Sequence, residues 1–141
     1  TNPFGVKPAP TGMDIQVTFP GGKRVDAAFG AHVVRTDQPV DLGGADSAPS
    51  PFDLFLASLA TCAGIYIVGF CQARGLSTDG FAVRQHSEVD PKGETPVKVA
   101  LTVSFPPDFP EKYKSAVIRA AQGCKVKKAI AMGLEILVHE G

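Results

Sequence analysis

The 141-residue sequence lacks a surplus of either charge: fourteen Lys and Arg balance fourteen Asp and Glu. Proteins that grip nucleic acid or anionic lipid carry a visible basic excess. Neither partner is therefore expected, and Lys125, Lys127 and Lys128 are too few to reverse that. Cysteine is scarce as well. The three cysteines, at 62, 71 and 124, are odd in number and widely spaced, which does not suit the disulfide framework of a small secreted protein. No CxxC or comparable zinc-ligand spacing exists, so no metal and no cofactor are expected. His32, His86 and His139 have no HExxH or Ser/Asp context. Gly43-Gly44 is too short for a phosphate loop. Thr1 to Pro10 shows no positive stretch leading into an apolar run, so no signal peptide is read there and the expected compartment is the cytoplasm.

What is present reads as a folded α+β chain. A hydrophobic share of 44% with 20% charged residues lies in the globular range, so a packed core is expected. Residues 1–12, with three prolines and two glycines, read as an extended arm, and 13–141 as one domain. Ile15, Val17 and Phe19 alternate with polar neighbours, a strand pattern that ends at the turn Pro20-Gly21-Gly22. Val25 to Val34 reads as one or two strands broken near Gly30, and 36–50 as a loop. Further strands are expected over 81–89 and 97–105, the second with Val97, Val99, Leu101, Val103 and Phe105 in strict alternation. Helices are expected from Pro110 to Gln122 and from Cys124 to Met132, and a last strand over 134–139. Strands and helices are segregated, which defines the α+β class.

The dominant feature is a helix predicted over 51–74. Ser50 can cap it, Pro51 suits its first position, Asp53 completes a capping box, and Gly75 stops it. Phe55 to Cys71 carries no charge. A helix apolar on every side is either a membrane span or the centre of a soluble protein. Seventeen uncharged residues stand at the lower limit for a span, and Ser58, Thr61, Gly64 and Gly69 interrupt them, so the buried helix is the expectation. So short a chain has few layers with which to cover such a helix. A homodimer with the helices near its two-fold axis is therefore expected, Gly64 and Gly69 permitting close approach.

Two of the cysteines invite chemistry. Cys62, inside the apolar helix, is either a small packing residue or a reactive thiol. Cys124 leads a short helix among lysines and is either an ordinary cysteine beside a solvated lysine face or, since that setting favours a thiolate, a largely ionised one. Cys71 follows Cys62 by nine residues, which on a helix puts it on the opposite face at about 13.5 Å. Those two cannot bridge.

The order of parts resembles the OsmC/Ohr family. The likeness is carried by Leu42-Gly43-Gly44, by Ser50-Pro51-Phe52-Asp53 running on through Ala60-Thr61-Cys62, and by Gly123-Cys124-Lys125-Val126. It covers about residues 13 to 140. The resemblance implies antiparallel sheets wrapped around long central helices in an intertwined homodimer, with sites at the interface. It implies that Cys62 is the peroxidatic thiolate, that Cys124 resolves it as a Cys62–Cys124 disulfide, that organic hydroperoxides are the substrates, and that a dithiol is the reductant.

The family pairs an Arg after an N-terminal Gly-Gly with a Glu directly after the helix-opening Pro. Here Lys23 and Arg24 follow Gly21-Gly22 and are the candidate cations. The Glu position holds Phe52, and the acid comes one residue later at Asp53, turned by about 100° around the helix. Phe55, Leu59, Ile65 and Tyr66 are the expected apolar lining for a lipid-like peroxide. Two functions fit the sequence: a cysteine-based peroxidase of oxidative stress defence, and a non-catalytic protein that binds an apolar ligand or senses oxidants.

Overall fold

The alternating N-terminal segment forms three strands in a computed structural model that describes residues 12–141. The arm expected over 1–12 lies outside the described residues except for Gly12. The chain divides into two units, one reaching to Phe55 and including Ile136–Gly141, the other Leu56–Glu135.

In the first unit, β1 (Gln16–Gly21), β2 (Arg24–Phe29) and β3 (His32–Thr36) form an antiparallel sheet in that order. Gly22 and Gly30 hold φ of +59° and +55° at the two reversals, a backbone region that costs glycine nothing. Val17 pairs with Ala27, and Asp26 with Arg35. The loop after β3 is ordered by Asp37. Its buried carboxylate accepts the Gln38 N–H at 2.8 Å, the Ser47 N–H at 3.1 Å and the Ser47 hydroxyl. These bonds hold its acidity well below the ordinary carboxylate range, the Ser47 hydroxyl contributing most; the pKa falls from 3.8 to about 2. A 3-10 turn, Val40–Leu42, lies inside the loop.

The central helix α1 (Pro51–Gln72) starts at the capping box that the sequence predicts. The Asp53 N–H donates to Ser50 Oγ at 3.2 Å, and the Ser50 N–H donates to Asp53 Oδ2 at 3.3 Å. It ends two residues before the expected Arg74, where Gly75 turns left-handed and the Leu76 N–H donates to the Cys71 carbonyl at 2.9 Å.

In the second unit, Ala63, Ile67 and Cys71 are the buried residues of α1, four apart and so on one stripe. β4 (Ala82–Val89) and β5 (Pro96–Ser104) form an antiparallel pair in which Gln85 faces Leu101. α2 (Lys114–Gln122) follows a 3-10 turn, Glu111–Tyr113, and α3 (Lys125–Met132) follows Cys124. Ile67 and Cys71 pack with Phe109 and Val117, and Phe81, Phe105 and Phe109 stack mutually at 5.1–5.3 Å. Arg74 lies 3.7 Å over the Phe70 ring, at the end of the stripe. Gln85 ties β4 to α1: its Nε2 donates to the Leu56 carbonyl at 2.8 Å.

One expectation needs correction. No strand forms over 134–139; those residues are irregular, and Leu134, Ile136, Leu137 and Val138 are exposed. Their alternation is strand-like, but among the described residues no neighbouring strand offers a ladder, and a strand is a paired structure. As expected of a chain with so few layers, α1 is not covered on every side. Phe52, Phe55, Ile65 and Tyr66 are exposed, because the layers within one chain reach only the 63–67–71 stripe. Among the described residues α1 also has the length and mean hydropathy, 2.1, of a membrane span.

Candidate functional site

Cys62 sits one residue before the buried stripe of α1 and is half-buried. Gly123 ends α2, and Cys124 then caps the N-terminus of α3, with its carbonyl accepting the Lys128 N–H at 3.1 Å. Cys124 is 3% exposed and Cys71 fully buried, and all three thiols are free.

The fold brings Cys62 and Cys124 together. The Cys124 thiol hydrogen-bonds the Cys62 sulfur, and the N–H groups of Val126 and Lys125, in the first turn of α3, point to the same sulfur. The hydrogen bond from Cys124 is the largest influence on Cys62, followed by the Val126 amide. With the Lys125 amide and ammonium they lower the Cys62 thiol below its ordinary range, against the penalty of burial. Cys124 moves the other way. Burial pushes it up first, and its hydrogen bond to Cys62 and the charge there add to this. The Lys127 and Val126 amides oppose the rise without overcoming it.

This differs from the expectation that Cys124 is largely ionised. The amides at the start of α3 serve both sulfurs, and burial decides between them. Cys62 is thus the group that ionises first, with Cys124 beside it as the neutral thiol. Cys71 is pushed up by burial, which the Arg74 charge only partly offsets.

The other predicted site residues are distributed. Ile65 and Tyr66 line an open apolar groove of about 520 Å³ with Gly69, Phe70 and Ala120. Leu59 is half-buried on α1, outside that lining. Phe55, in the first unit, has its ring 5.4 Å from that of Phe52. Asp53 serves the capping box. Lys23 lays its side chain along Gly43, where a Cβ would meet Lys23 Cε at 3.4 Å, and Arg24 opens β2 opposite Gly21. Sequence reasoning missed the first-turn amides of α3 as ligands of Cys62, although a Gly-Cys pair ahead of a helix signals such amides. It also missed Asp37 and Gln85, which carry no motif.

The chain is thus an α+β protein whose central helix carries a cysteine beside a buried cysteine at the cap of a later helix. The sequence profile of the OsmC-like protein family matches residues 44–138, more than half of the chain, and the protein belongs to that family. No curated protein matches it. Among solved structures it is similar to a protein from Psychrobacter arcticus 273-4 assigned to osmotic stress and detoxification response. That match has a TM-score of 0.70 and 25% identity, covering 81% of this chain and 85% of the other. It is also similar to the organic hydroperoxide resistance protein OsmC of Legionella pneumophila, with a TM-score of 0.55 and 18% identity over 86% and 90% of the two chains. A third is the organic hydroperoxide resistance protein OhrB of Bacillus subtilis, with a TM-score of 0.51 and 17% identity over 85% and 90%. The last two show the OsmC/Ohr-like fold.

Proposed function

We propose that the protein is a cysteine-based peroxidase that reduces organic hydroperoxides in the cytoplasm. The reading is carried by one observation, the contact between Cys62 and Cys124 with their acidities displaced in opposite directions. The Cys62 thiolate attacks one oxygen of the hydroperoxide, and the O–O bond breaks. The alkoxide takes a proton from solvent and leaves as an alcohol, and Cys62 becomes a sulfenic acid. The Cys124 thiol attacks that sulfur. An S–S bond forms, and the sulfenic oxygen leaves as water. A small dithiol then reduces the disulfide, returning both thiols and leaving as its own disulfide. The names of the Legionella and Bacillus proteins agree with such a substrate.

The working unit in this reading is a homodimer. Exposed Phe52, Ile65 and Tyr66 on α1, and the unpaired apolar tail after Gly133, are surfaces that a second copy would cover. No atom within the chain lies within 4 Å of a Cβ placed at Gly64 or Gly69, which leaves those positions open to a second helix.

The test is peroxide consumption with cumene hydroperoxide and a dithiol, with a sulfenic-acid trap. Cys124→Ser should accumulate an adduct at Cys62 and stop after one turnover. Cys62→Ser should give neither adduct nor consumption. If Cys62→Ser consumes peroxide while Cys124→Ser does not, the roles are exchanged. If both match the unaltered protein, the peroxidase reading gives way to a non-catalytic protein that binds an apolar ligand. Light scattering checks the dimer: a species of 14.7 kDa at micromolar concentration removes it.

A further inference from the structure

We propose that the exposed cations flanking Cys124 form an anion-gathering surface, and that the reductant which reopens the Cys62–Cys124 disulfide is a small thiol compound carrying negative charge. The inference rests on the reading of these cysteines as a redox pair and adds the charge of their electron donor. The chain as a whole is neutral, but its charges are segregated. Residues 112–133 hold six of the fourteen Lys and Arg and none of the fourteen Asp and Glu. Lys114 is paired with Glu111 at 2.8 Å, and Lys112 lies 5.0 Å from the Tyr113 ring. That leaves Arg119 on α2 and Lys125, Lys127 and Lys128 on α3. All four are exposed, and among the described residues none is joined to a carboxylate.

These four flank one buried cysteine. Cys124 caps α3, so the three lysines start within about 6 Å of helix rise from it. Lys127 and Lys128 stand about 200° and 300° round the helix from Lys125, so the charges ring the start of α3 instead of lining one face. Arg119 belongs to the helix before, and its carbonyl lies 3.9 Å from a Cβ placed at Gly123, the residue preceding Cys124. Such a field draws in anions and repels cations. It falls on the reductant for a positional reason. The hydroperoxide meets Cys62 on a helix uncharged from Phe55 to Cys71, whereas the cations gather at Cys124, which enters the cycle through the disulfide. The donor is small because its sulfur must enter: Cys62 is half-buried and Cys124 is 3% exposed. One donor thiolate attacks the Cys62 sulfur, the more accessible of the two. The Cys62–Cys124 bond breaks, and Cys124 leaves as a thiolate that takes a proton. A second donor thiol attacks the donor sulfur of the mixed disulfide and frees Cys62. Two electrons and two protons pass from the donor to the cysteines, and the donor leaves as its own disulfide.

The test compares reagents that differ in charge. On the reduced full chain, alkylation of Cys62 by iodoacetate and by iodoacetamide is followed by peptide mass. Both reagents meet the same thiolate, so the ratio of their rates cancels its acidity. In the unaltered protein the ratio should fall between about 10 mM salt and about 1 M, as the Debye length shrinks from about 30 Å to about 3 Å. Replacing Lys125, Lys127 and Lys128 together by Gln should lower it roughly three- to tenfold at the lower salt, the modest end of electrostatic steering. Replacing the same three by Arg should preserve it, and Lys92→Gln, which removes a charge from the β4–β5 turn, should leave it in place. On the oxidised chain, the same Gln variant should slow reduction by 2-mercaptoethanesulfonate, leave 2-mercaptoethanol unchanged and speed cysteamine. A ratio unmoved by salt or by the Gln variant, an equal fall in Lys92→Gln, or equal effects on the three thiols would overturn the proposal. Alkylation needs no peroxide, so the two readings fail separately. A shifted ratio in a protein that consumes no hydroperoxide ends the peroxidase reading and keeps the anion surface. An unmoved ratio in a protein that does consume it ends the anion surface alone.

Discussion

Val117 offers a direct test of how the second unit is held together. It is fully buried on α2 and packs in one cluster with Ile67 and Cys71 of α1 and with Phe109. Val117→Ala removes two methyl-sized groups. Each buried group of that size is worth about 0.8 kcal/mol, so the transfer loss is about 1.6 kcal/mol. The space left behind adds a cavity cost. Phe105 and Phe109 are fixed against each other at 5.3 Å and cannot easily refill it, so the total should reach roughly 2–3 kcal/mol. Val117→Thr keeps the shape and introduces a hydroxyl, which on a helix can bond the carbonyl four residues back, here that of Tyr113. Its cost should be smaller, about 1 kcal/mol. Urea unfolding followed by circular dichroism, at one fixed protein concentration, measures both. Cys71, which shares the cluster, should also become easier to label in Val117→Ala. A loss below about 0.5 kcal/mol for Val117→Ala, with an unchanged slope, would refute the claim that this cluster is closely packed. A larger loss for Val117→Thr than for Val117→Ala would show that polarity, not volume, governs the position.

Gly44→Ala should lower the melting temperature sharply, because its Cβ would lie 2.0 Å from the Gln38 carbonyl oxygen, a backbone atom that cannot step aside; an unchanged melt would show that the 38–47 loop is loosely held. Asp37 has a folded pKa of about 2 against 3.8, so it adds stability that is fully present above 3.8 and is lost as pH falls toward 2. Asp37→Asn should flatten that part of the stability profile, and an acid limb identical to that of the unaltered protein would remove Asp37 as its source. Cys71, fully buried, with its acidity shifted toward the neutral thiol, should stay reduced after one equivalent of peroxide while Cys62 and Cys124 disappear from thiol labelling. Loss of Cys71 with Cys124 still free would reassign the pair.

The parts that were legible in the sequence are those set by short-range rules. The Ser50–Asp53 box, the Gly22 and Gly30 reversals and the strand β5 each follow from residues a few positions apart and each forms, although Val97 and Leu101, on the face of β5 expected to be buried, are exposed. The tail shows the limit of such rules. Leu134, Ile136 and Val138 fall two apart, as apolar residues of a strand do. A strand, however, needs a second backbone alongside it, and periodicity says nothing about whether one is present. The same limit applies to α1. Its lack of charge foretold that it would need cover, but which faces the chain itself covers depends on where Phe109 and Val117 arrive.

The cysteine pair shows why a site resists this reading even when its members are found. Adjacency told correctly that the start of α3 would favour a thiolate, and it attached that effect to the cysteine beside it in the chain. Amides at a helix start act through space, however, on whatever sulfur lies in front of them. Cys62, remote in sequence but less deeply buried, receives the Val126 and Lys125 amides together with the Cys124 hydrogen. Cys124 receives amides too, yet burial withholds ionisation from it. The order of acidity in a pair of touching thiols is therefore a property of depth and direction. The first of these needs the whole fold, and the second needs the path of the chain between Gly123 and Val126.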